Sequence, residues 1–161
     1  PIREASAGEL PALSELEERS ARLFEEDGYS LPPDPTSLDR LRAAQVVLVA
    51  GDPPLGFASL GLVDGEAHLE QISVDPSAGR RGIGTRLLVA VLEHARAAGH
   101  DAITLTTYRD VPWNGPWYVA RGFRELAPPD CGPELCAIRE EERAAGLDAV
   151  GPRVAMRRPL E

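Results

Sequence analysis

The chain has 161 residues, 43% of them hydrophobic and 27% charged, with a formal net charge of −9, which suits one folded domain over residues 1–161 with its own core. Acidic balance argues against a general nucleic-acid binder, because such binding rests on counterion release by clustered cations. No apolar run approaches the roughly 20 residues of a membrane span and no cleavable leader is visible, so the expected address is cytoplasmic.

The elements follow in chain order. Residues 2–5 read as a short strand. Leu10, Leu13, Leu16, Leu23 and Phe24 recur at helical intervals, which predicts a helix over about 8–26. Residues 27–35 hold Gly28 and three prolines, the chemistry of a loop. Thr36 or Ser37 caps a second short helix that runs to about residue 44. Strands over 45–50 and 55–62 flank Gly51-Asp52-Pro53-Pro54, a hairpin signal. Asp64-Gly65 turns the chain into a strand over 66–74. Ile83, Leu87, Leu88, Val91, Leu92, Ala95 and Ala98 then share one helix face, and Gly99 closes that helix. A strand over 101–108 follows. Asn114 caps a short helix with Pro116 in its first turn, Gly122 ends it, and 123–126 returns as a strand. Cys131 and Cys136 fit neither a disulfide framework nor a common zinc spacing, so they read as reduced thiols and no metal site is expected. A late helix over 132–145 stops at Gly146, and 153–158 is the final strand. Strands first and a strand–helix–strand unit afterwards indicate a mixed α/β sheet without repeats.

The junction Val74-Asp75-Pro76-Ser77-Ala78-Gly79-Arg80-Arg81-Gly82-Ile83-Gly84-Thr85-Arg86 is the most informative stretch. A helix N-terminus presents unpaired backbone N–H groups and the positive end of its dipole, so it accepts phosphate readily. Gly82 and Gly84 keep Cβ atoms out of the way, and Arg80, Arg81 and Arg86 add full charge. The competing reading is an ordinary junction with a solvated arginine cluster. The glycines run G-x-x-G-x-G, the reverse of the dinucleotide fingerprint, and a triphosphate loop would need a lysine. All 17 basic residues are arginine.

This segment resembles the acetyl-coenzyme A loop of the GCN5-related N-acetyltransferases, Q/R-x-x-G-x-G/A, which falls on Gly79-Arg80-Arg81-Gly82-Ile83-Gly84. The first position departs from the pattern: it is Gly79, with an arginine displaced to Arg80. Tyr118-Val119-Ala120-Arg121-Gly122-Phe123 is similar to the family's later Y-x-x-x-G-F motif, and residues 2–5 look like its opening strand. The resemblance implies a single-domain α/β fold with a twisted, mostly antiparallel sheet. It further implies acetyl-coenzyme A held by Gly79, Arg80, Arg81, Gly82, Ile83, Gly84 and Thr85. The activity implied is acetyl transfer to a primary amine, here of a small molecule, by direct attack on the thioester.

Roles carry over residue by residue. His68 and Glu70, on one face of their strand, are the candidate bases, since the family draws its base from this strand. Tyr118 is the candidate acid for the departing thiolate; a packing tyrosine is the alternative. Asn114 matches a residue that meets the pantetheine arm, with helix capping as the equal competitor. Ile72 and Val74 match positions where relatives interrupt the strand with a bulge and free backbone N–H groups for the cofactor. Tyr108, Arg109, Asp110 and Trp113 lie where an acceptor approaches, although Arg109 and Asp110 equally suit a mutual clamp. Glu26 and Tyr29, near the first helix's end, form a second acceptor patch or a solvated helix terminus. Two rival readings stand beside the enzyme of small amines: a coenzyme A-binding regulatory module without turnover, and an acetyltransferase of protein lysines or N-termini. The sequence leaves room for a homodimer.

Overall fold

The computed structural model describes residues 1–32, 34–79 and 81–161. Seven strands run in the order β1-β2-β3-β4-β5-β7-β6. They are β1 (Ile2–Glu4), β2 (Val46–Ala50), β3 (Gly56–Val63), β4 (Glu66–Val74), β5 (Ala102–Tyr108), β6 (Arg124–Leu126) and β7 (Arg153–Pro159). The helices are α1 (Leu10–Glu26), α2 (Ser37–Ala43), α3 (Ile83–Ala97), α4 (Gly115–Val119) and α5 (Pro133–Ala144). Each matches an expected element to within a few residues at its ends, where helices fray and assignments differ. One detail differs: Ala98 is exposed and lies beyond the end of α3. The chain divides into two compact units, Pro1–Gly61 with Leu69–His94, and Leu62–His68 with Ala95–Glu161.

In the first unit β1 pairs antiparallel with β2, and β2 with β3. Alternation sends Val47 and Val49 of β2 to one face, where they join Phe57, Leu13 and Leu16 of α1 and Leu41 of α2 in one buried cluster. The start of α1 is fixed by a preceding 3-10 turn whose Ser6 N–H donates to Glu9 Oε1 at 3.0 Å. Along α3, Ile83, Leu87, Leu88, Val91, Leu92 and Ala95 are buried, the stripe expected from a 3.6-residue period, while Val89 stays 49% exposed.

In the second unit β5 and β7 pair antiparallel from Ala102↔Pro159 to Tyr108↔Arg153, and β6 flanks β7. The start of β4 lies parallel to β5, with Ala67 opposite Ile103 and His68 opposite Thr104. Val63, Leu135 of α5 and Ala155 of β7 make the local core. The β3–β4 turn anchors α5 from a distance: the Asp64 carboxylate accepts the Glu134 and Leu135 N–H groups at 2.8 and 3.1 Å. Glu134 returns the bond by accepting the Asp64 N–H, a capping box closed across 70 residues of chain. Arg139 of α5, though buried, is paired: it donates from Nη1 to Glu142 at 2.7 Å and from Nη2 to Asp148 at 2.6 Å.

Candidate active site

The glycine-arginine junction folds as its chemistry requires. After β4, Asp75 accepts the Ser77 N–H at 2.9 Å and starts a 3-10 turn over Pro76–Ala78. Arg19 of α1 donates to the same carboxylate at 2.8 Å and pins the turn. Gly79 and Arg81 are exposed; Arg80 lies outside the described residues. Gly82 takes φ +74°, the left-handed region, and nothing among the described residues stands within 4 Å of where its Cβ would be. At the start of α3 the Arg86 N–H donates to the Gly82 carbonyl at 3.0 Å, and a helix N-terminus carries the positive end of the helix dipole. Ile83 is buried beneath the loop, while Thr85 and Arg86 are exposed at its rim. Open space over a positive-φ glycine, a helix N-terminus and the exposed Arg81 and Arg86 are what a diphosphate needs; the described residues fit that group.

β4 runs over Glu66–Val74, and Ile72 and Val74 near its end are both half-buried. The two base candidates part company. His68 is 5% exposed and its Nδ1 lies 2.8 Å from Thr104 Oγ1. Burial pushes its pKa down to about 4, against the opposing fields of Glu142 and Asp64, so the ring is neutral at pH 7 and a weak base. Glu70 keeps an exposed surface. Desolvation by the protein around it raises its carboxyl above the usual range, and the Arg40 guanidinium pulls it back. The carboxylate rests on β3, because a Cβ built on Gly61 would meet Glu70 Oε2 at 3.0 Å. Arg40 of α2 is itself held by Asp34 and, at 3.5 Å, by Glu17. Neither Gly61 nor Arg40 was legible as a site residue, since both meet Glu70 only through the folded sheet and helix.

On α4, Tyr118 is half-buried, and burial raises its phenol above the ordinary value, so it stays protonated across the neutral range. Its ring packs edge-on against Trp117 and Phe123 with centroids 5.1 and 5.4 Å apart, which is why Phe123 of the motif accompanies it. Asn114 stands at the N-cap position but makes no side-chain cap bond. Its Oδ1 accepts from Thr107 Oγ1 at 2.8 Å instead. That tie to β5 replaces the capping role.

The acceptor candidates also sort themselves. Tyr108 is only 4% exposed; its hydroxyl donates to the Leu147 carbonyl at 3.0 Å and Arg153 lies over its ring at 4.4 Å. It faces the core and not an acceptor. Arg109 and Asp110 form a clamp, Nε to Oδ1 at 3.0 Å and Nη2 to Oδ2 at 3.1 Å. Trp113 is 38% exposed. Glu26 is exposed at the end of α1, and Tyr29 packs edge-on against Phe24 at 6.1 Å. A groove of about 600 Å³ runs along α3 past Thr85, Arg86 and His94, and another of about 340 Å³ lies between Arg109, α4 and Glu125. Glu70 lines neither.

A family model described as "Acetyltransferase (GNAT) family" matches residues 10–123. The chain belongs to the GNAT acetyltransferase family. Among solved structures it is similar to a GNAT-family acetyltransferase from Staphylococcus aureus Mu50, with 18% identity and a TM-score of 0.73 over 100% of this chain and 99% of that one. N-acetylglutamate synthase from Neisseria gonorrhoeae, solved with coenzyme A and N-acetyl-glutamate, gives 23% identity and a TM-score of 0.71. The match covers all of this chain but spans only 35% of the synthase. The ribosomal-protein-S18-alanine N-acetyltransferase from Escherichia coli gives 19% identity and a TM-score of 0.69, over 100% of this chain and 94% of that one.

Proposed function

We propose that this chain transfers an acetyl group from acetyl-coenzyme A to a primary amine of a small cationic molecule, with Glu70 as base and Tyr118 as acid. The observation that carries the assignment of the base is the contrast on β4: His68 is buried, neutral and bonded to Thr104, whereas Glu70 is accessible with a carboxyl raised by desolvation. The family's acyl donor and the coenzyme A of the gonococcal synthase support the cofactor.

In this reading Gly79, Arg81, Gly82, Ile83, Gly84 and Thr85 hold the diphosphate, and when bound the thioester supplies an activated acetyl group with a thiol as leaving group. An alkylammonium has a pKa near 10.4, so only about one molecule in a thousand carries a free lone pair at neutral pH. Glu70 accepts that proton at a carboxylate oxygen, and its raised pKa brings it closer to the working pH than an ordinary carboxylate. Tyr118 Oη donates a proton to the departing sulfur. A phenol held neutral by burial suits this, since it gives up its proton only to a stronger base, which a thiolate becomes in a desolvated site. Backbone N–H groups near Ile72 and Val74 stabilise the oxygen that gains charge.

The preference for a cationic small molecule rests on the net charge of −9, on exposed Glu25, Glu26 and Asp27 at the end of α1, and on Asp110. Thiol release from acetyl-coenzyme A with spermidine, tryptamine and a tripeptide bearing a free N-terminal alanine tests the whole reading. Spermidine is expected to be fastest, and its kcat/KM to fall as ionic strength rises. Glu70→Gln and Tyr118→Phe each lower kcat by about 10²-fold or more with acetyl-coenzyme A affinity retained. Exclusive turnover of the tripeptide, without salt dependence, would reassign the protein to polypeptide N-termini. Binding without thiol release to any amine would make it a coenzyme A-binding module.

A further inference from the structure

We infer that Gly61 is a positioning residue of the site: its missing side chain forms the notch in β3 on which the Glu70 carboxylate lies. The inference rests on the assignment of Glu70 as base and adds what holds that base in place. The three atoms nearest to a Cβ built on Gly61 are all in the Glu70 carboxyl group: Oε2 at 3.0 Å, Cδ at 3.1 Å and Oε1 at 3.5 Å. A methyl group at that point would sit closer to the carboxylate than ordinary contact, so one of them must give by a few tenths of an ångström. The backbone of β3 is paired with β2 up to Leu60, the residue before Gly61, whereas a glutamate side chain has several rotatable bonds. The carboxylate yields.

Nothing about Gly61 demands glycine for the backbone's sake. It is absent from the residues with positive φ, and glycine inside a strand costs stability relative to a residue with a side chain. A β-branched residue would satisfy the strand better. The space, and not the conformation, is what glycine supplies here. Around the notch, the charged group whose field reaches Glu70 is Arg40 of α2, braced by Asp34 and Glu17. Glu17 is itself raised by burial, with Ser37 Oγ donating to its Oε1 at 3.3 Å. A carboxylate lifted off the notch leaves the desolvated setting shared by β3 and α2.

The test is a graded series on the full chain, Gly61→Ala and Gly61→Val, in wild-type and Glu70→Gln backgrounds. Two readouts are taken: thiol release from acetyl-coenzyme A with spermidine or the fastest amine of the panel, and the titration of the Glu70 side-chain carboxyl by ¹³C NMR without any acceptor. In the Glu70 background kcat falls a few-fold for Ala and about 10- to 100-fold for Val, as expected for a displaced catalytic group, with the acetyl-coenzyme A KM unchanged. The Glu70 titration moves down toward the ordinary carboxylate range in both variants. In the Glu70→Gln background the same changes at residue 61 cost no further rate, a non-additivity that a merely structural role does not produce. Should Gly61→Val fail to fold, Gly61→Val/Glu70→Ala is expected to fold, because truncation removes the atoms that collide. An unchanged Glu70 titration and unchanged kcat in Gly61→Val, while Glu70→Gln loses activity, would overturn the positioning role. If Glu70→Gln keeps full activity but the Glu70 resonance still shifts in Gly61→Val, the notch stands and the assignment of the base fails.

Discussion

Glu70 and His68 sit two positions apart on the same strand, yet their surroundings drive them in opposite directions. Burial holds the His68 ring neutral, with its pKa near 4; burial raises the Glu70 carboxyl, and Arg40 opposes the rise. Each contrast has a measurable consequence. Because Arg40 stabilises the ionised carboxylate, its removal leaves desolvation unopposed. In Arg40→Ala the acidic limb of the kcat/KM–pH profile therefore moves to higher pH; a limb that stays or moves down contradicts the pairing. For His68 the linkage runs through stability. The unfolded chain binds a proton below about pH 6.5 that the folded chain refuses until about pH 4, so stability is complete above 6.5 and is lost as pH falls through that window. His68→Gln, which keeps a partner for Thr104, reduces the drop in unfolding free energy between pH 7 and 4.5 by about 2 to 3 kcal/mol. Urea midpoints at the two pH values provide the check.

Among the elements, those with strong periodicity were legible from sequence alone. Leu13 and Leu16 in α1, and Ile83, Leu87, Val91 and Ala95 in α3, announced their helices because a 3.6-residue stripe needs no knowledge of what it packs against. The junction between β4 and α3 was legible for the same reason: it is made by consecutive residues. What escaped were contacts that only the fold creates. Tyr108 ends its strand with the hydroxyl bonded to Leu147, 39 positions away, so position in sequence suggested an acceptor contact where there is core. Asn114 had the residue type of a cap, but Thr107 competes for its side chain and wins. The seat of Glu70 on Gly61 and the hold of Asp64 on α5 belong to the same class of non-local contact. The second gives a prediction for α5. Asp64→Ala removes the acceptor of the Glu134 and Leu135 N–H groups and is expected to cost about 1 to 2 kcal/mol, with α5 exchanging its first-turn amide hydrogens faster. Equal stability and unchanged exchange would show that the distant cap contributes nothing.

For the molecule as a whole, the central tension is that a chain with net charge −9 is assigned an anionic cofactor. Charges are screened beyond about 8 Å at physiological salt, so the field at the start of α3 is set by the helix N-terminus and the exposed Arg81 and Arg86, while the acidic remainder acts at a distance. The proposed seat of the diphosphate is the backbone at Gly82, where φ is +74° and nothing among the described residues stands within 4 Å of a built Cβ, so a branched side chain there would project into the space proposed for the cofactor. A non-glycine residue in that conformation costs about 1 to 2 kcal/mol, which the folded chain survives. Isothermal titration of acetyl-coenzyme A into the wild-type protein and into Gly82→Val, with melting temperatures recorded alongside, tests this most directly. Saturable one-to-one binding to the wild type, and none to a variant that still melts cooperatively within a few degrees of it, is the predicted result. Wild-type affinity in Gly82→Val, or no binding to either folded protein, would contradict the placement of the cofactor on this loop.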